Sequence, residues 1–161
     1  MKKILKRLFA FIGAAFIAIQ FFGPAKTNPP VDETKTIQMH APMPPEVSAI
    51  IERSCYDCHS HQTRWPWYSH LEPVSWFLVD HVIDGRKHLN FSEWGSYNAK
   101  RMHHKLEEID EQVKTGEMPL KSYLPLHPAA RLSPEDVRAL LAWAAAERQR
   151  VAEANNLSND K

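Results

Sequence analysis

The stretch Cys55-Tyr56-Asp57-Cys58-His59 decides how the rest of this chain is interpreted. It has the spacing C-x-x-C-H, in which two thiols reach the two vinyl groups of one haem while the adjacent imidazole reaches the iron. The competing interpretations are a redox dithiol, a disulfide or half of a zinc site. A thioredoxin-like dithiol is expected in a βαβ setting, and a zinc site needs further ligands, so the motif favours covalent attachment. One motif predicts one haem c, with His59 as the proximal iron ligand.

Met118 is the first candidate for the ligand on the opposite face of the iron. It precedes Pro119, which biases it away from helical geometry, so its thioether can project from a loop. A methionine often only fills a gap in a core, and it is the haem motif that favours ligation here. The rival ligands are histidines, which are more often packed or solvated side chains: His81, and then His61, His70, His103, His104 and His127.

An aromatic-rich stretch follows the motif. It comprises Trp65-Pro66-Trp67-Tyr68 and, further on, Trp76. Large flat side chains of this kind can cover an apolar macrocycle, or they can form an ordinary core, and both uses are compatible.

Four helical segments are predicted around the motif. Val47, Ile50 and Ile51 recur at helical spacing and predict a short helix that leads into the cysteines. A second helix is predicted from Val74, Phe77, Leu78, His81 and Val82, with Pro73 in its first turn and Gly85 as its stop.

The third and fourth helices lie in the second half of the chain. Residues 102–113 carry apolar side chains at helical spacing, and Gly116 followed by Pro119 supplies a terminator. Ser133 is an N-cap residue, and it is followed by Pro134 and two acids in a first helical turn. The sequence shows no useful alternating pattern and no repeat, so it predicts an all-α fold.

The amino terminus has the pattern of a secretory leader or membrane anchor. An uncharged apolar run, residues 8–22, follows four cations, and Ile4 and Leu5 can extend the run if Lys6 and Arg7 snorkel. Neither Ala18-Ile19-Gln20 nor Gly23-Pro24-Ala25 is a good cleavage site, which favours an uncleaved anchor. The alternative is cleavage, which would leave a soluble periplasmic protein.

The chain is accordingly divided into four parts. Residues 1–25 are a signal anchor or signal peptide, and residues 26–45 are a linker within a stretch that holds six of the twelve prolines. Residues 46–154 are a haem-binding domain, and residues 155–161 are a flexible tail.

Composition excludes several classes of protein. The 20 basic and 19 acidic residues nearly balance, so no basic field predicts nucleic acid as a partner. With only two cysteines, the chain is neither a multi-disulfide scaffold nor the sole holder of a four-cysteine metal site, and it lacks the cysteine after the leader that a lipoprotein anchor needs. No nucleophile or acid–base constellation stands out, so an enzymatic activity has no independent support.

These motifs together resemble a known family. The stretch CYDCHSHQTRWPWYSHLEPVSWFLVDHV, then DGRKHLNFSEW and GEMPLKSYLPLHPAARLS, is similar to the bacterial haem-binding domain proteins related to cytochromes c, over roughly Phe21 to Trp143. The resemblance implies a small exported monohaem domain of cytochrome c-like helical fold, often membrane-tethered. It implies Cys55, Cys58 and His59 as attachment and proximal residues, and Met118 at the position of the cytochrome methionine. His61 stands where similar sequences commonly have asparagine.

Two functions remain open at this point. The first is one-electron transfer by a periplasm-facing domain tethered to the inner membrane, with an unidentified redox partner protein. The second is a haem-based sensor or peroxidase-like protein with an open distal site, which the many histidines favour. A thiol or zinc interaction module is a weaker third interpretation.

Overall fold

The computed structural model describes residues 1–157, and this part of the chain contains helices and turns but no strand. The helices are α1 (Lys2–Ile19), α2 (Ile37–His40), α3 (Pro45–Ser54), α4 (Tyr56–His59), α5 (Val74–His88), α6 (Ala99–Lys114) and α7 (Pro134–Ala154). The predicted all-α class is therefore confirmed. Of the predicted tail 155–161, residues 158–161 lie outside the described part.

The core forms where α6 and α7 pack along each other and α3 packs on α7. Leu106 of α6 and Leu140 of α7 are fully buried there, together with Ile51 of α3. Burying each such side chain contributes about 1.5–3 kcal/mol relative to leaving it exposed. The motif residues follow α3 directly, so this core fixes the point at which the chain enters the motif.

Helix α7 begins as the sequence predicts. The Ser133 hydroxyl accepts a hydrogen bond from the Asp136 amide at 3.1 Å, and the Asp136 carboxylate accepts one from the Ser133 amide at 2.8 Å. This reciprocal pair is a capping box that satisfies two amides at the helix start. The Arg53 guanidinium also contacts the Asp136 carboxylate at 2.6 Å, which joins α7 to α3.

The end of α6 also follows the prediction. Gly116 has a φ of +71°, its amide donates to the Val113 carbonyl, and the Glu117 amide donates to the Gln112 carbonyl. These two bonds form a Schellman motif, in which a left-handed glycine reverses the chain. The Met118 amide donates to the Gln112 carbonyl at 3.1 Å, so the methionine is held close to the helix end.

Helix α5 differs from the sequence prediction, because Gly85 does not end it. The helix continues to His88, and Gly85 lies inside it. A Cβ atom on residue 85 would lie 2.6 Å from the Cys58 carbonyl oxygen, closer than real Cβ contacts come. The glycine therefore permits α5 to pack against α4, and its role is close approach rather than termination.

The proline-rich segment is more than a spacer. Its second half contains α2, and Ile37 and Ala41 are fully buried in the core. Its first half is held by Asn28, whose amide donates to the Thr63 carbonyl at 2.8 Å. The segment predicted as an extended linker thus packs onto the domain along much of its length.

Helix α1 and the turn after it, Lys2–Phe22, are long and apolar enough to cross a membrane. None of these residues is buried against the rest of the protein. Helix α1 is therefore not a buried core helix, and its apolar surface is exposed.

Candidate functional site

A cavity of about 530 Å³ lies between α4, α5, α6 and the loop after α6. That volume falls within the range of about 300–1,000 Å³ that is usual for cofactor sites. All four predicted site residues line it: Cys55, Cys58, His59 and Met118. Apolar side chains supply much of the remaining wall, including Phe91, Leu120 and Leu140.

The two thiols are free and lie beside this cavity. Burial raises the pKa of the Cys55 thiol to about 12, and the neighbouring Cys58 adds to the rise. Burial, with the Asp57 carboxylate, raises the pKa of the Cys58 thiol to about 11. Both thiols are therefore protonated at neutral pH, whereas a reactive dithiol has a lowered pKa.

The imidazole of His59 is oriented by backbone groups of the end of α5. Its Nδ1 atom lies 3.0 Å from the Gly85 carbonyl oxygen and 3.0 Å from the Leu89 carbonyl oxygen. A nitrogen facing two acceptors carries the proton, which leaves Nε2 with a free lone pair. Burial lowers the pKa of His59, although the two carbonyls oppose the change, so the ring is neutral at pH 7. A neutral imidazole fixed by its other nitrogen is the usual form of a metal-ligating histidine.

The predicted histidine rivals of Met118 separate into two groups. His81 and His104 line the cavity, whereas His61, His70, His103 and His127 do not. The Nδ1 atom of His81 lies 2.7 Å from the Phe77 carbonyl oxygen of its own helix. His61 is engaged elsewhere, since its Nε2 atom lies 2.8 Å from the Asn90 amide nitrogen.

The predicted aromatic cover differs from the one that the structure shows. Trp65, Trp67, Tyr68 and Trp76 are absent from the cavity wall formed by the described residues. Its aromatic members are Phe91 and Tyr123 instead. Phe91 packs on Tyr56 of the motif with ring centroids 5.6 Å apart, and it meets the His59 ring edge at 6.4 Å.

Asp57, inside the motif, bonds to two other parts of the chain: Tyr123 on the cavity wall and Arg64 in the segment that follows the motif. Its carboxylate accepts hydrogen bonds from the Tyr123 hydroxyl at 2.8 Å and from the Arg64 amide at 3.0 Å. Burial and the bond to Asp57 raise the pKa of Tyr123, so its hydroxyl stays protonated and donates. Tyr123 also stacks on His127, with ring centroids 3.8 Å apart.

Arg86 also bonds to several separate parts of the chain, and no sequence motif indicates this role. Its guanidinium donates two hydrogen bonds to the chain just after the motif, to the Ser60 carbonyl at 2.8 Å and to the Thr63 hydroxyl at 2.8 Å. It donates two more to the segment that follows α1, to the Thr27 carbonyl at 2.9 Å and to the Asn28 amide oxygen at 2.7 Å. Arg86 therefore joins α5, the chain just after the motif and the segment that follows α1. No spacing rule distinguishes it from Lys87, because only the fold brings its partners together.

These residues fit a covalently bound haem. One largely apolar cavity is lined by two neutral thiols, an oriented imidazole and a thioether. These are the donor types that c-type haem uses. Among residues 1–157, no group of three histidine, cysteine or acidic side chains is arranged to hold a metal ion by itself.

Comparison with known families agrees with this fit. The model of the haem-binding domain family matches residues 14–146, which is most of the chain, and the chain belongs to this family. No curated protein and no solved structure matches it.

Proposed function

We propose that this member of the haem-binding domain family is a c-type monohaem protein that transfers single electrons on the periplasmic side of the inner membrane. In this proposal Cys55 and Cys58 would hold the haem through thioether bonds, and His59 and Met118 would supply the two protein ligands of its iron. The redox partner is another protein, and the chain requires no catalytic residue of its own. When bound, haem supplies a one-electron Fe(III)/Fe(II) couple.

The observation that carries the proposal is the position of His59. Its Nδ1 proton is directed to two backbone carbonyls, so Nε2 is the only ring nitrogen available to a ligand. The apolar wall lowers the local dielectric and excludes water, which favours the reduced iron by disfavouring extra charge. Methionine as the second ligand raises the reduction potential further.

The membrane part of the proposal is supported by contacts at the end of α1. The Gln20 side chain donates to the Glu72 carbonyl at 3.1 Å and accepts from the Glu72 amide at 3.0 Å. The Trp76 indole donates to the Phe22 carbonyl at 3.0 Å. Cleavage after Ala25 would remove all three bonds, so they favour an anchor that is retained.

A second candidate function uses the same cavity with an open distal position. His81, His88 and His104 line the wall in addition to His59, so imidazoles other than the proposed ligand also reach the cavity. This favours a sensor or a peroxidase-like protein, with Met118 as a wall residue only.

The two candidates are separated by spectroscopy of the full chain, expressed with the haem-attachment machinery. We expect covalent haem on a denaturing gel and a weak methionine-to-iron band near the red end of the oxidised spectrum. Met118→Ala removes this band, whereas Met39→Ala, at an exposed methionine outside the cavity, retains it.

Two of the following outcomes contradict the electron-transfer proposal, and one changes only the identity of its second iron ligand. A five-coordinate native haem that binds carbon monoxide rapidly supports the sensor or peroxidase candidate. A six-coordinate spectrum unchanged in Met118→Ala but altered in His81→Ala makes His81 the ligand. A purified protein without covalent haem excludes both candidates, and titratable thiols or bound zinc would then support the third interpretation.

A further inference from the structure

A group of exposed apolar side chains, one of which bonds to the end of the α1 anchor, lies outside the haem cavity. We define the interfacial face by five exposed side chains on the turn before α5 and on its first turns: Trp67, Leu71, Val74, Trp76 and Phe77. Trp67 is 77% exposed and Phe77 is 55% exposed, which is unusual for large aromatic side chains. The cavity wall contains none of the five, so haem binding as proposed does not account for them.

The charge pattern of this segment is also unusual. Residues 65–79 contain one charged side chain, Glu72, and no lysine or arginine. Glu72 is only 2% exposed, because its carboxylate faces inward and accepts a hydrogen bond from the Trp76 amide at 3.2 Å. The fifteen residues between the exposed Arg64 and the exposed Asp80 therefore present no charge to the outside, although exposed positions would ordinarily carry charged side chains.

The interfacial face is continuous with the anchor. Trp76 donates its indole N–H to the carbonyl of Phe22, the last residue of the turn that ends the anchor. Phe21 and Phe22 are themselves 82% and 75% exposed. The two Gln20–Glu72 hydrogen bonds fix the start of α5 against the same point. Any bilayer that contains α1 thus ends close to this face.

From these observations we infer that the interfacial face lies in the headgroup region of the bilayer and holds the haem domain against the membrane surface. The inference rests on α1 being the anchor described under Proposed function. Tryptophan and other aromatic side chains are enriched at the boundary between lipid and water, where the ring is apolar and its N–H can still donate. An apolar face of several aromatic and aliphatic residues binds this boundary without crossing it. The occupant is lipid, because the anchor delivers lipid to the face, whereas nothing delivers a partner protein there.

The inference is tested on the full haem-loaded chain labelled with 5-fluorotryptophan and placed in lipid nanodiscs. Fluorine spectra are compared between discs that contain a lipid with a nitroxide near its headgroup and discs that contain the reduced, diamagnetic form of the same lipid. The five tryptophan signals are assigned by single Trp→Phe substitutions. Comparison of the two disc types removes any broadening caused by the haem iron itself.

The expected result is loss of the Trp67 and Trp76 signals in the nitroxide discs. The Trp94 and Trp143 signals persist, since both residues are buried in the core of the domain. Phe77→Ser on the interfacial face weakens the broadening of Trp67, whereas Met39→Ser, which alters an exposed apolar residue elsewhere, leaves it unchanged.

Other outcomes overturn the inference in distinguishable ways. Loss of the Trp76 signal alone means that the anchor is inserted but the domain stands away from the lipid, with Trp67 left for a protein partner or a second copy. Persistence of all five signals means that α1 is not in the bilayer, and the anchor part of the proposed function then fails as well. Haem attachment is measured separately, so the electron-transfer proposal is judged independently.

Discussion

Substitution of Gly85 by alanine tests whether the contact between α4 and α5 sets the haem site. In the interior of an ordinary helix this change stabilises a protein, by about 1 kcal/mol from helix propensity. Here the new Cβ atom would lie 2.6 Å from the Cys58 carbonyl oxygen, 3.2 Å from its carbonyl carbon and 3.3 Å from its Cβ atom. These neighbours include backbone of the motif, which cannot rotate away as a long side chain would.

The magnitude follows from the distance that must be made up. An ordinary contact begins at 3.4 Å, so α5 must move away from Cys58 by about 0.8 Å. The movement strains the 3.0 Å contact between His59 Nδ1 and the Gly85 carbonyl oxygen, and the 2.8 Å bond from Arg86 to Ser60. Overpacking costs about 1–3 kcal/mol and the two weakened hydrogen bonds together about 1 kcal/mol, which leaves a net loss of about 1–3 kcal/mol after the propensity gain of about 1 kcal/mol.

Thermal unfolding of the haem-loaded full chain in detergent, followed by circular dichroism, measures this loss. A domain of this size loses about 4 °C in Tm per kcal/mol, so we expect Gly85→Ala to melt roughly 4–12 °C below the native protein. We also expect a lower yield of attached haem, because Cys58 and His59 move. Lys87→Ala, at an exposed site of the same helix, is the control and melts within about 2 °C of native. A Gly85→Ala protein that melts at or above the native temperature, with normal haem content, would refute the reasoning.

Three further predictions concern the elements that position the site. Gly116→Ala places a side chain at a positive φ and costs about 1–2 kcal/mol, and we expect a weaker methionine-to-iron band, read from the oxidised spectrum. Asp136→Asn loses the ion pair with Arg53, and unfolding at pH 7 should show a loss of about 1 kcal/mol. The hydrogen bond from the Ser133 amide, more than Arg53, lowers the pKa of Asp136 in the folded state. The stabilisation is therefore present above about pH 4 and is lost as the pH falls further, so the stabilities of the native protein and Asp136→Asn converge in acid. Arg86→Met releases the segment after α1, and limited proteolysis should cut near residues 24–30 in this variant but not in Arg138→Met; equal cutting in both would contradict it.

Local sequence signals predict the start of α7 and the end of α6, because each depends on a few neighbouring residues. The capping box at Ser133 and the left-handed Gly116 act within one helical turn, so their chemistry can be read directly from the chain. Cys55, Cys58 and His59 are likewise fixed relative to one another by their spacing. Pro119 and the helix end before it predict that Met118 lies on a loop, and the structure places this loop residue on the cavity wall.

Features that depend on distant contacts could not be predicted in the same way. Gly85 has the local pattern of a stop, and only the approach of Cys58, 27 positions earlier, shows why a glycine is needed within the helix. Arg86 bonds to Thr27, 59 positions away, and no periodicity encodes that pairing. The aromatic stretch is expected to cover a macrocycle or to form an ordinary core, yet Trp67 and Trp76 are exposed and lie outside the cavity wall. Burial is a property of the whole fold, so residue type alone indicates it only on average.

Helix α5 links the end of the membrane anchor to the proposed haem site. Near its start, Trp76 contacts the end of the anchor, and near its end, Gly85 supplies a carbonyl to the His59 imidazole. These two residues are nine positions apart, which at 1.5 Å per residue is a separation of about 14 Å along the helix axis. A single rigid element therefore fixes the distance between the end of the membrane anchor and the ring that is proposed to ligate the iron. If the interfacial face lies on the lipid, the haem site is held at a set height above the bilayer and does not sample the length of a flexible tether.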